Sequence, residues 1–150
     1  STLHTNSAVA TISRLLDLGL KPYVIATALE GIIAQRLVRK ICEHCREADT
    51  PSPALLARLG PLFSQGNITA YKGKGCSHCH DSGYKGRIGL YEVLILNDQM
   101  RHLIASGATI LDITSLAQQV GTASLIEDGR DKVNQGLTTL DELLRVLGPQ

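Results

Sequence analysis

The sequence predicts a mixed α/β chain stapled at its middle by a metal ion, and three observations carry that reading. Four cysteines stand in two matched pairs, Cys42-Glu43-His44-Cys45 and Cys76-Ser77-His78-Cys79, with residues 46–75 between them. Leu37–Ile41 runs into the first pair and Leu90–Leu96 follows the second, and both read as strands. On either side of this region apolar residues recur at helical spacing, as in Val9, Ile12, Leu15 and Leu16 or Ile113, Leu116, Ala117 and Val120.

The chemistry of the cysteines follows from their spacing. In each C-x₂-C pair two sulfurs can bend back onto one ion, and two such hooks complete a tetrahedral shell of Cys42, Cys45, Cys76 and Cys79. Soft thiolates in that arrangement select zinc or iron, and Zn²⁺ is the expected ion. Four protein ligands leave no open position for a substrate or an activated water, so the site is expected to be structural. Two disulfides are the competing reading, but they need an oxidising compartment and no apolar signal segment is seen. A redox C-x-x-C needs only one pair and leaves the other unexplained. His44, His78 and His80 could each replace a cysteine; with four thiols at hand they are expected to surround the shell or face solvent.

Composition narrows the class. At 150 residues, 43% hydrophobic and 19% charged, the chain suits one domain or two small ones, with one Phe and no Trp. A net charge of +1 gives no reason to expect a polyanion, since nucleic-acid modules carry a basic excess and aromatic residues for stacking. No apolar run approaches a membrane span, so membrane association is expected only through a protein partner.

Three segments follow in order. In Ser1–Ile41, Ser1-Thr2-Leu3 reads as the end of a strand. Asn6 or Ser7 caps a helix that Gly19 ends. Pro22 opens a second helix, with Ile25, Leu29, Ile32 and Ile33 as its buried stripe. Cys42–Gly89 is loop-rich, with a short helix at Ala54–Leu59 and a strand at Ile68–Tyr71; Gly73, Gly75, Gly83 and Gly86 surround the second hook. So little apolar material over so long a loop is the physical reason for a metal staple. Leu90–Gln150 is mainly helical after its strand. Asn97 caps a helix carrying Met100, Leu103 and Ile104, another begins near Ile110, and one spans Leu125–Asn134. Thr139-Leu140-Asp141-Glu142 is a capping box opening the last helix.

Several of these stretches together resemble the C-terminal region of the type II secretion and type IV pilus assembly ATPases. They are Ser1-Thr2-Leu3-His4-Thr5-Asn6, the helix ending Asp17-Leu18-Gly19, and Ala34–Arg39 directly before the cysteines. Gly83–Gly89 with Tyr91-Glu92 after the second hook, and Asp128-Gly129 through Glu142, complete the likeness. The resemblance covers nearly the whole chain, in order. It implies a hexameric motor of the bacterial cytoplasm, peripheral to the inner membrane through platform proteins, using ATP and Mg²⁺. Residues 1–41 would be the C-terminal portion of its RecA-like core, 42–89 a tetracysteine zinc subdomain and 90–150 a small helical subdomain. The pilus retraction motors share the histidine region but lack the tetracysteine insertion, so the cysteines favour an assembly or secretion motor.

The same resemblance matches His4 to the family's histidine box, near the terminal phosphate of bound nucleotide. Its plain alternative is a histidine on an exposed turn. No G-x-x-x-x-G-K-[ST] loop occurs here, and the only Gly-Lys pair, Gly73-Lys74, lies in the metal region. The chain alone is therefore expected not to hydrolyse ATP. Arg36 and Arg39 could steer phosphate or bridge subunits, or could be solvated charges beside an inward Leu37 and Val38. A second function class is a free-standing zinc-binding module for protein or nucleic acid, for which Lys72, Lys74, Lys85 and Arg87 near the second hook are the support.

Overall fold

The computed structural model describes residues 2–3 and 5–149. His4, and with it the expected histidine box, lies outside the described residues. The fold is mixed α/β, as the sequence predicts, and divides into two compact units. One comprises the chain up to Ala34 with Tyr91–Ser124; the other comprises Gln35–Leu90 with the chain from Leu125 onward. Strands β1 (Gly31–Ile41) and β4 (Tyr84–Ile95) pair with each other, and each contributes residues to both units.

In the first unit, helix α1 (Ala8–Asp17) starts where Ser7 accepts the N–H of Ala10 at 3.1 Å, a side-chain cap of the expected kind. Its first turn also donates the Ala8 N–H to the buried Glu92 carboxylate at 3.0 Å. An acidic group suits that end, where free N–H groups gather. Helix α2 (Pro22–Ala28) has no basic residue in its last turn. Arg101, on helix α5 (Asp98–Ala105), supplies the cap instead, donating to the carbonyls of Ala26 and Leu29 at 2.6 and 2.8 Å and pairing with Glu30. Asn97 caps α5 as expected, and Thr109 and Asp112 form a reciprocal capping box on α6 (Ile110–Gln119). Ile12, Ile25, Met100 and Ile113 are among the fully buried residues of this unit.

The second helix is shorter than its apolar spacing suggests. It stops at Ala28, and Ile32 and Ile33 belong to β1. A strand sends neighbours to opposite faces, so Ile32 is buried while Ile33 is 68% exposed. Their helical spacing with Ile25 and Leu29 is a coincidence of composition that pairing with β4 overrides. Thr2 and Leu3 belong to no strand, since neither sheet of the described residues includes them.

In the second unit, β2 (Arg46–Asp49) pairs antiparallel with β3 (Ala70–Gly73), bringing Arg46 opposite Gly73 and Asp49 opposite Ala70. The polar Arg46–Asp49 run carries no apolar alternation to announce a strand, and β3 begins two residues later than Ile68. Between them lie α3 (Pro53–Arg58), capped by Ser52, and a one-turn helix α4 (Pro61–Ser64). Phe63 of α4 is fully buried with Leu59, and helices α7 (Leu125–Asn134) and α8 (Leu140–Leu147) add Val133 and Leu143 to the same core. Gly129 of α7 lies so close to α8 that a Cβ there would sit 2.7 Å from the Leu143 side chain. Phe63→Ala should lower unfolding free energy by about 3–5 kcal/mol, the range for emptying a buried aromatic site. Urea unfolding of the two proteins measures it.

Candidate metal centre

Two ladders carry the hooks to one point. Cys45 immediately precedes β2, and its carbonyl accepts the Lys74 N–H at 2.9 Å, so β2 and β3 deliver the first hook to the start of the second. On the other side Cys42 immediately follows β1, and its N–H donates to the Gly83 carbonyl at 2.9 Å. The residues between the pairs are therefore folded out of the way rather than left as an open loop.

The four sulfurs converge. All lie within 4.8 Å of one another, with Cys42–Cys76 at 3.9 Å, Cys45–Cys79 at 3.8 Å and Cys76–Cys79 at 3.7 Å. These separations are far from a bonded pair, and all four cysteines are free. A metal–sulfur bond of about 2.3 Å places tetrahedral sulfurs about 3.8 Å apart, so the shell fits a single ion of that size. His44 and His78 do not enter it; both are exposed and their rings stack, centroids 3.9 Å apart. His80 is exposed too, at a left-handed turn shared with Asp81.

The backbone is arranged for anionic sulfur. The N–H groups of Gly75, Cys76 and Gly83 each point at a sulfur from 3.3 Å, the first at Cys45 and the others at Cys79. Burial drives the Cys79 thiol up, but the N–H groups of Cys76 and Gly83 and the adjoining thiols outweigh it and hold Cys79 at about 6. Burial pushes Cys45 up to about 12, and the neighbouring sulfurs add to this against the pull of Gly75. One thiolate forms readily and further ones repel it, which is the charge problem a bound cation removes.

The second hook is wound into a 3₁₀ turn, Ser77–Cys79, in which Cys76 and Cys79 cap each other's backbone. Its exit depends on glycine. Gly83 has φ of +75°, and a Cβ there would meet the Gly73 carbonyl oxygen at 2.5 Å, where the two chains cross. Gly83→Ala should therefore weaken metal binding by about ten- to a hundredfold, the range for disturbing groups just outside a ligand shell. Competition with a chelator measures the change.

The charged residues near the hooks sort themselves clearly. Lys72 pairs across the β2–β3 ladder with Asp49 at 3.2 Å and approaches Glu47 at 3.9 Å, which removes it from any basic patch. Arg36 donates to the neighbouring Gln35 carbonyl. Leu37 is 46% exposed while Val38 is buried, so only one of the two points inward. Arg39 has a definite partner, Glu142, which the sequence did not indicate from 103 positions away. Thr139 accepts the Glu142 N–H at 3.2 Å, as a capping residue should. The Glu142 carboxylate, however, does not complete a capping box. It lies 1% exposed and accepts from Arg39 Nε and Nη2 at 2.9 and 2.7 Å, and from Arg145 Nε and Nη2 at 2.8 and 2.7 Å. Two guanidinium forks compete better for a carboxylate than one backbone N–H.

Burial alone would raise the Glu142 pKa, but the bonds from Arg145 and from Arg39 outweigh it and hold the group at about 2. The folded pKa is depressed, so the stabilisation is complete above the unfolded value of about 4.3 and lost as pH falls through about 2. The stability gap between wild type and Glu142→Gln should accordingly narrow between about pH 4.5 and 2. Thermal melts across that range test it; a gap that stays constant would contradict the assignment.

The family described as Type II/IV secretion system protein matches residues 1–145, and the chain belongs to that family. It is 44% identical over 147 residues to the type IV pilus assembly ATPase PilB of Thermus thermophilus, covering 96% of this chain and 16% of that protein. It is 42% identical over 146 residues to the type II secretion system protein E of Pseudomonas aeruginosa, covering 97% and 29%. Against the type II secretion system ATPase E of Vibrio cholerae the identity is 40% over 151 residues, covering 97% and 29%. The chain thus spans less than a third of the length of these relatives.

Proposed function

We propose that this chain is the zinc-stapled C-terminal region of an ATP-driven motor for type II secretion or type IV pilus assembly. The observation that carries the proposal is the coincidence of two features in one chain. The family match extends over residues 1–145, and four sulfurs stand at the spacing of a tetrahedral ion. Zn²⁺ is the ion of choice because an all-thiolate tetrahedral site suits it, and Cys42, Cys45, Cys76 and Cys79 are its ligands. The metal's contribution is structural: it joins the two ladders of the second unit and takes no part in hydrolysis.

In this reading residues 1–41 close a RecA-like ATPase core, 42–89 form the metal subdomain and 90–150 the helical one. The parent assembles as a hexamer in the cytoplasm and works against inner-membrane platform proteins. Among the described residues no helix is long and apolar enough to cross a membrane, which accords with docking through proteins. ATP and Mg²⁺ bind the parent through a phosphate loop that residues 1–150 do not contain. His4 is assigned to the terminal phosphate of that nucleotide.

The test uses both this chain and the full-length protein that carries it. The chain should hold one zinc by elemental analysis and show no ATP turnover above background. In the full-length protein, His4→Ala should lower turnover more than nucleotide affinity, because a group meeting developing charge acts chiefly in the transition state. Parental turnover in His4→Ala would return His4 to an ordinary turn residue, and a full-length protein without ATPase activity would overturn the motor assignment.

A further inference from the structure

We infer that Glu142 is a positioning residue for the tetracysteine centre: from helix α8 it holds the two strand ends that aim both cysteine hooks, although it ligates nothing itself. The inference rests on the reading of the cysteines as a metal site.

Glu142 occupies an unusual place. It sits among Leu140 and Leu143 on the buried side of α8, where a leucine would pack without any desolvation cost. A buried carboxylate clamped by arginines is seldom worth more to stability than an apolar residue of similar size, so its place in the core points to what it orients. What it orients is residue 39. The Arg39 N–H donates to Glu142 Oε2 at 2.8 Å while the guanidinium forks onto Oε1. The Arg39 carbonyl is held from the same C-terminal segment by Thr138 Oγ1 at 2.9 Å. Two residues further on, the Ile41 N–H donates to the Leu137 carbonyl at 2.9 Å. The last turn of chain before Cys42 is thus bonded to residues 137–142 rather than left to the metal.

The second hook is reached through Tyr84. The Arg39 guanidinium that Glu142 fixes lies over the Tyr84 ring, 4.1 Å from its centroid, and the Tyr84 hydroxyl meets Thr139 Oγ1 at 2.9 Å. Tyr84 follows Gly83, whose carbonyl receives the Cys42 N–H and whose own N–H reaches the Cys79 sulfur. One carboxylate therefore sets residue 39 and, through its guanidinium, residue 84. These flank the bond from Cys42 to Gly83, one of the rungs that join the two hooks. A ligand set ordered before the ion arrives loses less entropy on binding, so affinity depends on this support. By linkage the ion must stabilise α8 in return.

The experiment measures zinc affinity of this chain by chelator competition, together with the Co²⁺–thiolate absorption bands and amide exchange of Leu140–Leu147. Glu142→Gln keeps one acceptor, Glu142→Leu keeps only the packing, and Arg39→Lys keeps the charge but loses the fork and the stack. Circular dichroism establishes that each is folded. Expected are about tenfold weaker zinc binding in the Glu142→Leu and Arg39→Lys proteins, the lower end for groups outside a ligand shell, with a smaller loss in Glu142→Gln. The Co²⁺ bands should shift, and zinc should slow α8 exchange in wild type but not in Glu142→Leu. Should the Glu142 variants fail to fold, Arg39→Lys alone decides, since its side chain is 47% exposed. Wild-type affinity in a folded Arg39→Lys or Glu142→Leu protein overturns the inference while the metal site stands. Absence of zinc uptake by wild type overturns the metal reading, and the inference with it.

Discussion

The backbone of Gly83 is the point on which the second unit depends. Its carbonyl takes the N–H of Cys42 and its N–H points at the sulfur of Cys79, so one residue belongs to both hooks at once. That position is open only to a residue without a side chain, because its backbone is left-handed and the Gly73 carbonyl closes over it. With the Lys74 and Gly75 N–H groups bonded to Cys45, this crossing brings two distant cysteine pairs to one point. The β2–β3 ladder reaches it from one side and the end of β1 from the other.

Around that crossing the unit is built from many polar bonds and a small apolar core. Phe63, Leu59, Val133 and Leu143 bury fully or nearly so, but β2 and β3 between the hooks are only four residues each. Such material cannot offset the entropy of closing residues 46–75 by burial alone. Two devices make up the difference. One is the sulfur shell, with backbone N–H groups aimed at the sulfurs of Cys45 and Cys79. The other is the Glu142 carboxylate, which gathers Arg39 and Arg145 and, through Arg39, the ring of Tyr84. The first unit relies on conventional packing instead, with carboxylate and guanidinium groups spent on helix ends, as in Glu92 on α1 and Arg101 on α2.

For the family, this division separates what the chain can contribute from what it cannot. Its four clustered cysteines all lie within residues 42–79. Nucleotide chemistry, in the reading proposed above, belongs to the part of the relatives that lies outside the matched region, which makes up most of their length.

Much of this was legible in the residues themselves. The pairing of sulfurs within each hook follows from the C-x₂-C spacing, because a local hook needs only local sequence, and the structure brings the two hooks together. Ser7, Asn97 and Thr139 act as caps because capping is a contact across three residues, and α7 keeps the bounds its flanking turns suggest. Tertiary structure alone decided the rest. Ile33 faces outward because pairing with β4 draws Ile32 and Ile33 into a strand against their helical spacing with Ile25 and Leu29. Arg46–Asp49 becomes a strand only because Ala70–Gly73 lies beside it. Glu142 gives up a capping box for two arginines, one of them 103 residues away, and no pattern within the last helix could announce that choice. Local sequence determines bonds that close within a turn; bonds that need a partner from a distant segment exist only once the fold has brought that partner near.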